Sequence, residues 1–407
     1  MWSAETKQAL KQRITDSIDF NHSLSDESLM DMIEQEVFAY SRSAFLTAGQ
    51  KQRLVTELYN SFRGLDVLQP LVDDRSITEI MINRHDQIFI EKDGQVLETD
   101  IRFESSEKLE DTIQAIVAKV NRMVNESSPI VDARLKDGSR VNIVLPPIAL
   151  RGPAMTIRKF PEHPLTLDDL IGKGALTEEA AEHLIRLVRA KYNLFIGGGT
   201  GSGKTTFLNA LAQYIPSDER IITIEDSAEL QIRGIPNVVS LETRNANTEG
   251  KGEITIRDLI RSSLRMRPNR IIVGEVRGAE SLDMLQAMNT GHDGSLSTGH
   301  ANSVKDMLSR LETMVLGGAA NLPVEVVRKQ ITSSIDVMVH LQRLRDRSRR
   351  VTEIAEITGI SDGEIQLNSL YRFVETGTTP EGKVLGGLQP TGQPMQRVWK
   401  LEMAGLA

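Results

Sequence analysis

The residues with the clearest chemical potential form a glycine-rich loop, GGTGSGKT, at positions 198–205. The loop follows an apolar run at 194–196 and precedes a segment, 205–214, that is predicted to be helical. A glycine-rich turn from strand to helix presents consecutive backbone N–H groups and the positive end of a helix to an anion. The spacing matches G-x-x-x-x-G-K-[ST] at every fixed position, which predicts a phosphate-binding loop. In such a loop Lys204 reaches the β- and γ-oxygens and the Thr205 hydroxyl binds Mg²⁺.

Two acidic positions that follow apolar runs are candidates for the chemistry beside this loop. Glu275 follows one run with a glycine between them, Glu225 and Asp226 end another, and Glu229 lies one turn farther on. The carboxyl ends of parallel strands meet at one edge of a sheet, so both acids are predicted to face the γ-phosphate. There they would hold Mg²⁺ or orient the attacking water. The alternative is that each is an ordinary surface acid at the end of a buried strand.

Histidines and arginines complete the candidate set. His292 and His300 bracket a predicted strand at 295–298, and a histidine there can hydrogen-bond a γ-phosphate and report its loss. The remaining histidines are interpreted as structural, namely His22, His85, His163, His183 and His340. The candidates for a guanidinium that stabilises a transferring phosphoryl group in trans are Arg134, Arg140, Arg158, Arg244 and Arg257. The residues alone do not rank these arginines.

Composition narrows the class of protein. The chain has 407 residues, which exceeds one ordinary core and predicts two or three domains. It has no cysteine, which excludes disulfides, thiolate metal sites and a cysteine nucleophile. A formal net charge of −8 argues against a broad nucleic-acid-binding surface. No apolar stretch reaches the ~18 residues that cross a bilayer, and the N-terminus lacks an apolar signal core, so we expect a soluble, cytosolic protein.

Changes in periodicity divide the chain into an N-terminal helical module at 1–64, an α+β domain at 65–158, a linker at 159–166 and an α/β domain at 167–407. A capping box of Thr47 and Gln50 is predicted in the first module, and Pro161 and Pro164 mark the linker. In the last domain strands alternate with helices, which predicts a mainly parallel sheet. The domain ends in a hairpin, whose arginines at 343, 345, 347, 349 and 350 are interpreted as a solvated tip, and in a tail rich in Gly, Thr and Pro.

Seven segments together resemble the Tad/CpaF-type secretion ATPases of the wider type II/type IV secretion ATPase superfamily. They are 131–134, 137–142, 200–204, 224–230, 265–268, 274–278 and 288–295, and the likeness extends from Leu65 to Phe373. The resemblance implies a RecA-like P-loop NTPase domain preceded by a PAS-like α+β domain and a helical bundle. Two departures stand out. Gly299 occupies a position where many relatives carry an aliphatic residue, and Arg84, His85 and Asp86 replace an Asn-Gly turn.

The same resemblance implies roles for individual residues. The Walker A contacts to nucleotide would come from Gly198, Gly199, Thr200, Gly201, Ser202, Gly203, Lys204, Thr205 and Thr206. Glu225, Asp226 and Glu229 resemble the Asp box, Glu275 the Walker B acid, and His292 and His300 the His box. Arg140 and Arg158 resemble arginines that approach the nucleotide from the second domain. The catalytic set is then Lys204, Glu225, Glu275 and His300, with Thr205 and Glu275 as ligands of Mg²⁺.

The implied function is ATP hydrolysis by a homohexameric ring at the cytoplasmic face of the inner membrane. The ring would drive assembly, and in some systems retraction, of a Tad or type IV-like pilus through an inner-membrane platform protein, and so act on pilin subunits indirectly. Membrane association would be peripheral, through partners, with no direct contact to nucleic acid. Two alternatives stay open: a type IV secretion traffic ATPase that moves protein or DNA substrates, and a nucleotide-gated assembly module without turnover.

Overall fold

A computed structural model describes residues 2, 4–18, 25–92, 94–120, 122–135, 137–160, 164–246, 250–318 and 322–407. It consists of two compact units, Met1–Pro161 and Glu162–Ala407. The hairpin residue Asp93, the linker residue Pro161 and two histidines interpreted as structural, His22 and His163, lie outside the described residues. Within the described ranges, no helix is both long enough and apolar enough to cross a membrane.

The first unit begins with three helices that share a small apolar core. They are α1 (Ala4–Ser17), α2 (Asp26–Ala44) and α3 (Ala48–Phe62). Leu29, Ile33 and Val37 of α2 pack with residues of α1 and α3 in that core. The predicted capping box is confirmed, because the Thr47 backbone N–H donates to Gln50 Oε1 (2.9 Å) and the Gln50 N–H donates to Thr47 Oγ1 (3.3 Å).

The rest of the first unit is a six-stranded antiparallel sheet. After a 3₁₀ turn (Asp66–Leu68) and α4 (Gln69–Asp73) come β1 (Ile77–Arg84), β2 (Gln87–Lys92), β3 (Gln95–Glu98), α5 (Ser106–Ala118), β4 (Ile130–Arg134), β5 (Arg140–Val144) and β6 (Ala154–Arg158). The strand order is β3-β2-β1-β6-β5-β4. Ile113 and Ile116 of α5 pack with the buried face of the sheet. The periodicity did not predict β4, since Ile130 is exposed and Asp132 disfavours a strand.

The second unit is built on one nine-stranded sheet. Its strands are β7 (Leu194–Gly198), β8 (Ile221–Glu225), β9 (Val238–Glu242), β10 (Arg270–Val273), β11 (Leu296–Gly299), β12 (Val337–Arg343), β13 (Arg349–Ser361), β14 (Glu364–Thr378) and β15 (Val384–Pro390). Its helices are α6 (Leu167–Gly172), α7 (Glu178–Arg189), α8 (Lys204–Ala212), α9 (Ile256–Ser263), α10 (Glu280–Met288), α11 (Val304–Gly318), α12 (Val324–Ser334) and α13 (Trp399–Met403).

The strand order of this sheet is β15-β14-β13-β12-β7-β11-β10-β8-β9. The run from β12 to β9 is parallel, as predicted, whereas β13, β14 and β15 continue it antiparallel. The predicted hairpin is therefore larger, and half of the predicted tail, 377–394, lies in β14 and β15. Gly386 allows the close approach of β15, because a β-carbon there would lie 2.3 Å from the Val374 carbonyl oxygen.

Strand β7 is buried on both faces of the sheet. Leu194 and Ile196 pack in a core with Phe207 and Leu208 of α8, whereas Phe195 packs in the opposite core with residues of α10, α11 and α12. A strand that is covered on both faces reads as a continuous apolar run, which explains why the sequence predicted it so clearly.

Gly299 at the end of β11 makes room for Phe195. A β-carbon at Gly299 would lie 2.9 Å from Phe195 Cζ and 3.0 Å from Met307 Cε. Gly299→Ala is therefore expected to destabilise the second unit by about 1–3 kcal/mol, measured by thermal unfolding.

Two variants test the cause of this loss. Gly317→Ala in α11 meets no atom within 4 Å and is expected to cause no loss. In the double variant Phe195→Leu/Gly299→Ala, the destabilisation should be smaller than the sum of the two single changes. If Gly299→Ala unfolds at the same temperature as Gly317→Ala, the packing argument is wrong.

Candidate functional site

The glycine-rich loop joins β7 to α8, as the sequence predicted. Gly201 (φ 71°) and Gly203 (φ 94°) have left-handed backbone conformations, and Gly203 is the N-cap of α8. Gly198 is required for a different reason, because a β-carbon there would lie 2.5 Å from both the Leu341 carbonyl oxygen and Ser202 Oγ. The glycines thus permit a tight loop at a helix N-terminus.

Lys204 is buried at the start of α8 and its ammonium group has two acceptors. Its Nζ donates to the Gly199 carbonyl oxygen (3.1 Å) and to His300 Nδ1 (3.3 Å). Burial lowers the pKa of Lys204, and the carboxylates of Glu275 and Glu229 oppose this shift. Because an ammonium group can only donate, His300 Nδ1 must be the acceptor in this contact.

The tautomer of His300 follows from its two partners. With Nδ1 as acceptor, the ring proton is on Nε2, which lies 3.1 Å from Glu275 Oε1. Burial lowers the pKa of His300, and the neighbouring Lys204 lowers it further, while Glu275 raises it. The imidazole is therefore neutral near pH 7 and connects an ammonium group to a carboxylate.

This connection continues across the sheet edge through Arg277. The guanidinium of Arg277 contacts Glu275 Oε1 (Nε, 3.5 Å) and Asp226 Oδ2 (NH2, 2.7 Å). We call the sequence Lys204, His300, Glu275, Arg277, Asp226 the polar chain. Its residues follow β7, β11, β10 and β8, which are adjacent in that order in the sheet. The predicted convergence of strand ends therefore brings four of the candidate residues together and adds Arg277.

Glu225 has a different environment from Glu275. It is buried, and its carboxylate accepts hydrogen bonds from the backbone N–H groups of Glu229 (Oε1, 2.9 Å) and Leu230 (Oε1, 3.1 Å). Burial raises the pKa of Glu225 to about 7, although these two hydrogen bonds lower it. The carboxylate thus holds the backbone of the loop that follows β8. Glu275 is the acid that contacts the Lys204–His300 pair.

Several other predicted site residues lie away from the polar chain. His292 Nδ1 contacts the Ala287 carbonyl oxygen (3.2 Å) at the end of α10. Arg257 Nε contacts Asp283 Oδ2 (2.7 Å), and Arg244 Nε donates to the Gly252 carbonyl oxygen (2.7 Å). Both arginines therefore have partners within their own unit.

Three candidate arginines of the first unit form a row across its sheet. Arg140 on β5 lies opposite Arg134 on β4 and opposite Arg158 on β6. Like charges in directly opposite positions destabilise a sheet unless an opposite charge is near. On β1, Glu79 lies opposite Arg158, so an acidic residue adjoins this end of the row.

Two residues that touch the site were not assigned a role from the sequence. Arg277 lies in the Gly-Glu-Val-Arg-Gly segment, and only the strand order reveals that it reaches Asp226. Arg349, interpreted as part of a solvated hairpin tip, donates from Nε to the Gly201 carbonyl oxygen (2.9 Å). The sequence signal for this contact was the run of hairpin arginines, but their spacing did not distinguish Arg349 from Arg347.

The loop has the features that a polyphosphate requires. Ser202 Oγ is buried and has no hydrogen-bond partner among the described residues, and it occupies the space that a side chain at Gly198 would fill. Thr205 and Thr206 lie in the first turn of α8 and are half-buried. In the described part of the chain, no three His, Asp or Glu side chains converge on a metal position. A Mg²⁺ ion held by Thr205, Glu275, waters and phosphate oxygens would fit the usual preference of this ion.

Comparison with known proteins places this geometry in context. Residues 62–376 match the family described as "Type II/IV secretion system protein". The conjugal transfer protein TrbB of Rhizobium radiobacter is 34% identical over 328 residues, covering 79% of this chain and 96% of TrbB. The type IV secretion system protein VirB11 of Brucella suis biovar 1 is 35% identical over 303 residues, covering 68% of this chain and 84% of VirB11.

Solved structures with a similar fold include a pilus motor and an ATPase. The pilus retraction motor PilT with bound ADP aligns with a TM-score of 0.54 at 18% identity, covering 84% of this chain and 87% of PilT. The ATPase DotB of Legionella pneumophila aligns with a TM-score of 0.52 at 23% identity, covering 73% of this chain and 81% of DotB. These likenesses confirm the predicted α/β class with a RecA-like domain.

The raised pKa of Glu225 gives a pH-dependent prediction. Because the folded-state pKa is about 7 and the ordinary value is 4.5, folding favours the protonated acid, and the contribution of Glu225 to stability declines as pH rises through this window. Glutamine cannot ionise, so Glu225→Gln should gain stability relative to the wild type between pH 5 and pH 8, by up to about 3 kcal/mol in thermal or chemical unfolding.

The matched control is Glu402→Gln, which changes an exposed acid on α13 of the same unit. Its stability difference from the wild type should change little with pH. An equally flat difference for Glu225→Gln would mean that Glu225 ionises at its ordinary pKa in the folded protein.

Proposed function

Because this chain belongs to the type II/IV secretion system protein family, we propose that it is an ATP-hydrolysing motor, active as a ring of six copies, that powers a cell-envelope machine. The observation that carries this proposal is the polar chain, which connects the phosphate-binding lysine to two carboxylates through one histidine and one arginine. Hydrolysis needs a carboxylate near the γ-phosphate, and the link from Lys204 through His300 to Glu275 supports that role for Glu275.

The residues divide the work of hydrolysis between them. The loop N–H groups and Lys204 bind the phosphates, and Glu275 orients the water that attacks the γ-phosphorus. The bond from that phosphorus to the β,γ-bridging oxygen breaks, and ADP and phosphate are the products. Mg²⁺, held by Thr205 and Glu275, would supply positive charge to the phosphate oxygens. Glu225 supports this geometry by holding the loop after β8.

His300 is suited to report the state of the nucleotide. Its Nδ1 and a γ-phosphate compete for the same ammonium group, that of Lys204. When Lys204 turns to the phosphate, the contact with His300 is lost and His300 keeps only Glu275. This exchange links the presence of the γ-phosphate to the end of β11.

In the proposed ring, a neighbouring copy completes the active site. A guanidinium from a second copy stabilises the charge on the transferring phosphoryl group, and the candidates are Arg140 and Arg158, which lie opposite each other on β5 and β6. Turnover then depends on neighbouring copies.

Two cargoes are compatible with this motor. The segments shared with Tad/CpaF-type ATPases favour assembly, and also retraction in some systems, of a pilus through an inner-membrane platform protein, with the ring at the cytoplasmic face of the membrane. The second candidate is a type IV secretion traffic ATPase that moves protein or DNA substrates, and it is favoured by the 34% and 35% identity to TrbB and VirB11.

The ring proposal predicts that ATPase activity depends on protein concentration. The specific rate per protomer should rise as copies assemble, with Lys204→Ala as the blank, because neighbouring copies complete the site. The measurement is multiple-turnover phosphate release across a wide concentration range, with the assembly state recorded in parallel. A substantial rate that is unchanged in monomeric dilutions would overturn the ring, and a single turnover per site would indicate a nucleotide-gated module.

The lowered pKa of His300 predicts the acid side of the pH–rate profile. The neutral imidazole accepts from Lys204, so protonation breaks this contact and places two positive charges together. The rate should therefore hold down to below pH 6.5, the ordinary pKa of histidine, and fall at lower pH. In His300→Asn, which does not titrate, the rate should be lower at all pH values but lose this acid limb.

The control for this profile is His85→Asn in the first unit, which should keep the wild-type curve. An acid limb that survives in His300→Asn would show that another group controls it.

A further inference from the structure

The hairpin of β12 and β13 rises directly beside the glycine-rich loop. Strand β12 pairs in parallel with β7, and Leu341 lies opposite Gly198, the first residue of the loop. The hairpin therefore leaves the sheet at the same edge as the loop. Its two strands place Arg343 and Arg349 opposite each other at this point.

Arg349 contacts the loop at two glycines. Its Nε donates to the Gly201 carbonyl oxygen (2.9 Å), and its Cδ would lie 3.3 Å from a β-carbon at Gly203. Both glycines have positive φ, so the arginine lies against the most sharply turned part of the loop.

The hairpin is fixed in place by contacts that do not involve the loop. Asp346 accepts hydrogen bonds from the backbone N–H groups of Ser348 (2.9 Å) and Val384 (2.8 Å). Although burial opposes its ionisation, these and the Ser348 hydroxyl lower the pKa of Asp346 to about 2. Arg345 pairs with Glu375, and Arg350 donates to the Gly174 carbonyl oxygen. The backbone that carries Arg349 is therefore well anchored.

A hydrogen bond to a carbonyl oxygen fixes the whole peptide group. The Gly201 carbonyl and the Ser202 N–H belong to one planar trans amide and point in opposite directions. The Ser202 N–H is directed to the Gly199 carbonyl oxygen (3.3 Å), which also accepts from Lys204 Nζ (3.1 Å). This N–H therefore lies on the lysine side of the loop, where the proposed function places the phosphates, and Arg349 binds the carbonyl oxygen on the opposite side of the same amide.

We propose that Arg349 is a positioning residue for phosphate binding, acting in the same chain by holding the Gly201–Ser202 amide with its N–H toward the phosphate. The inference rests on the proposed function, because it needs a nucleotide in the loop. A guanidinium also polarises the amide to which it donates, which strengthens the N–H as a donor. Arg349 thus acts through the backbone of the loop.

The test compares two arginines of one hairpin. Arg349→Ala removes the contact, Arg349→Lys keeps a cationic donor, and Arg347→Ala is the matched control, since Arg347 is exposed on the same turn. Equilibrium binding of Mg·ADP and the steady-state constants for ATP are measured for all three and for Lys204→Ala. The melting temperature of each variant is recorded.

Arg349→Ala is expected to weaken ADP binding and to raise KM for ATP, each by about tenfold, because one hydrogen bond that orders the loop is lost. The kcat at saturating ATP should change less than about twofold, since the amide contacts ground and transition states alike. Arg349→Lys should recover most of the affinity, and Arg347→Ala should match the wild type.

Two results would overturn the proposal: ADP affinity in Arg349→Ala equal to that in Arg347→Ala, or a loss of affinity that Arg349→Lys does not recover. Failure of the proposed function is a separate outcome. In that case the wild type and Lys204→Ala would bind ADP equally poorly and release no phosphate.

Discussion

The ammonium group of Lys204 is the charge on which the site depends. It is buried at the first turn of α8, where it needs acceptors, and it finds the Gly199 carbonyl and His300 Nδ1. Because ammonium only donates, it also determines which nitrogen of His300 carries the proton, and so directs an N–H toward Glu275. From one buried cation the charges alternate outward along the sheet edge to Asp226.

The two acids that the sequence could not separate have opposite environments. Glu225 is buried and accepts hydrogen bonds from two backbone N–H groups, so its carboxylate stabilises the loop after β8. Glu275 is partly exposed, and its ion-pair partners among the described residues are the side chains of His300 and Arg277. An acid that must respond to a ligand belongs in the second environment, because rearranging it breaks no backbone hydrogen bond.

Much of this architecture could be predicted from residue patterns because it is local. The glycine loop, the capping box of Thr47 and the apolar strands of the second unit each depend on residues within one or two turns of one another. The contacts of Arg277 and Arg349 depend on strand order and on the register of β12 with β7, which no periodicity encodes. Strand β15 was not predicted for a related reason, since Gly386 is typical of a loop until its partner strand is known. The roles of the arginine row in the first unit stay predictions.

The strand order also has a consequence for how the protein is made. The two neighbours of β7 in the sheet are β11 and β12, which begin at Leu296 and Val337. As synthesis proceeds from the N-terminus, the glycine loop is complete roughly one hundred residues before either partner of its strand exists. The strand that leads into the loop therefore gains its two neighbours in the sheet only when these later segments insert on either side of it. The contacts between β7 and its neighbours join residues that are far apart in the sequence, and such contacts form slowly. The growing chain would therefore acquire the ability to bind nucleotide late in its synthesis.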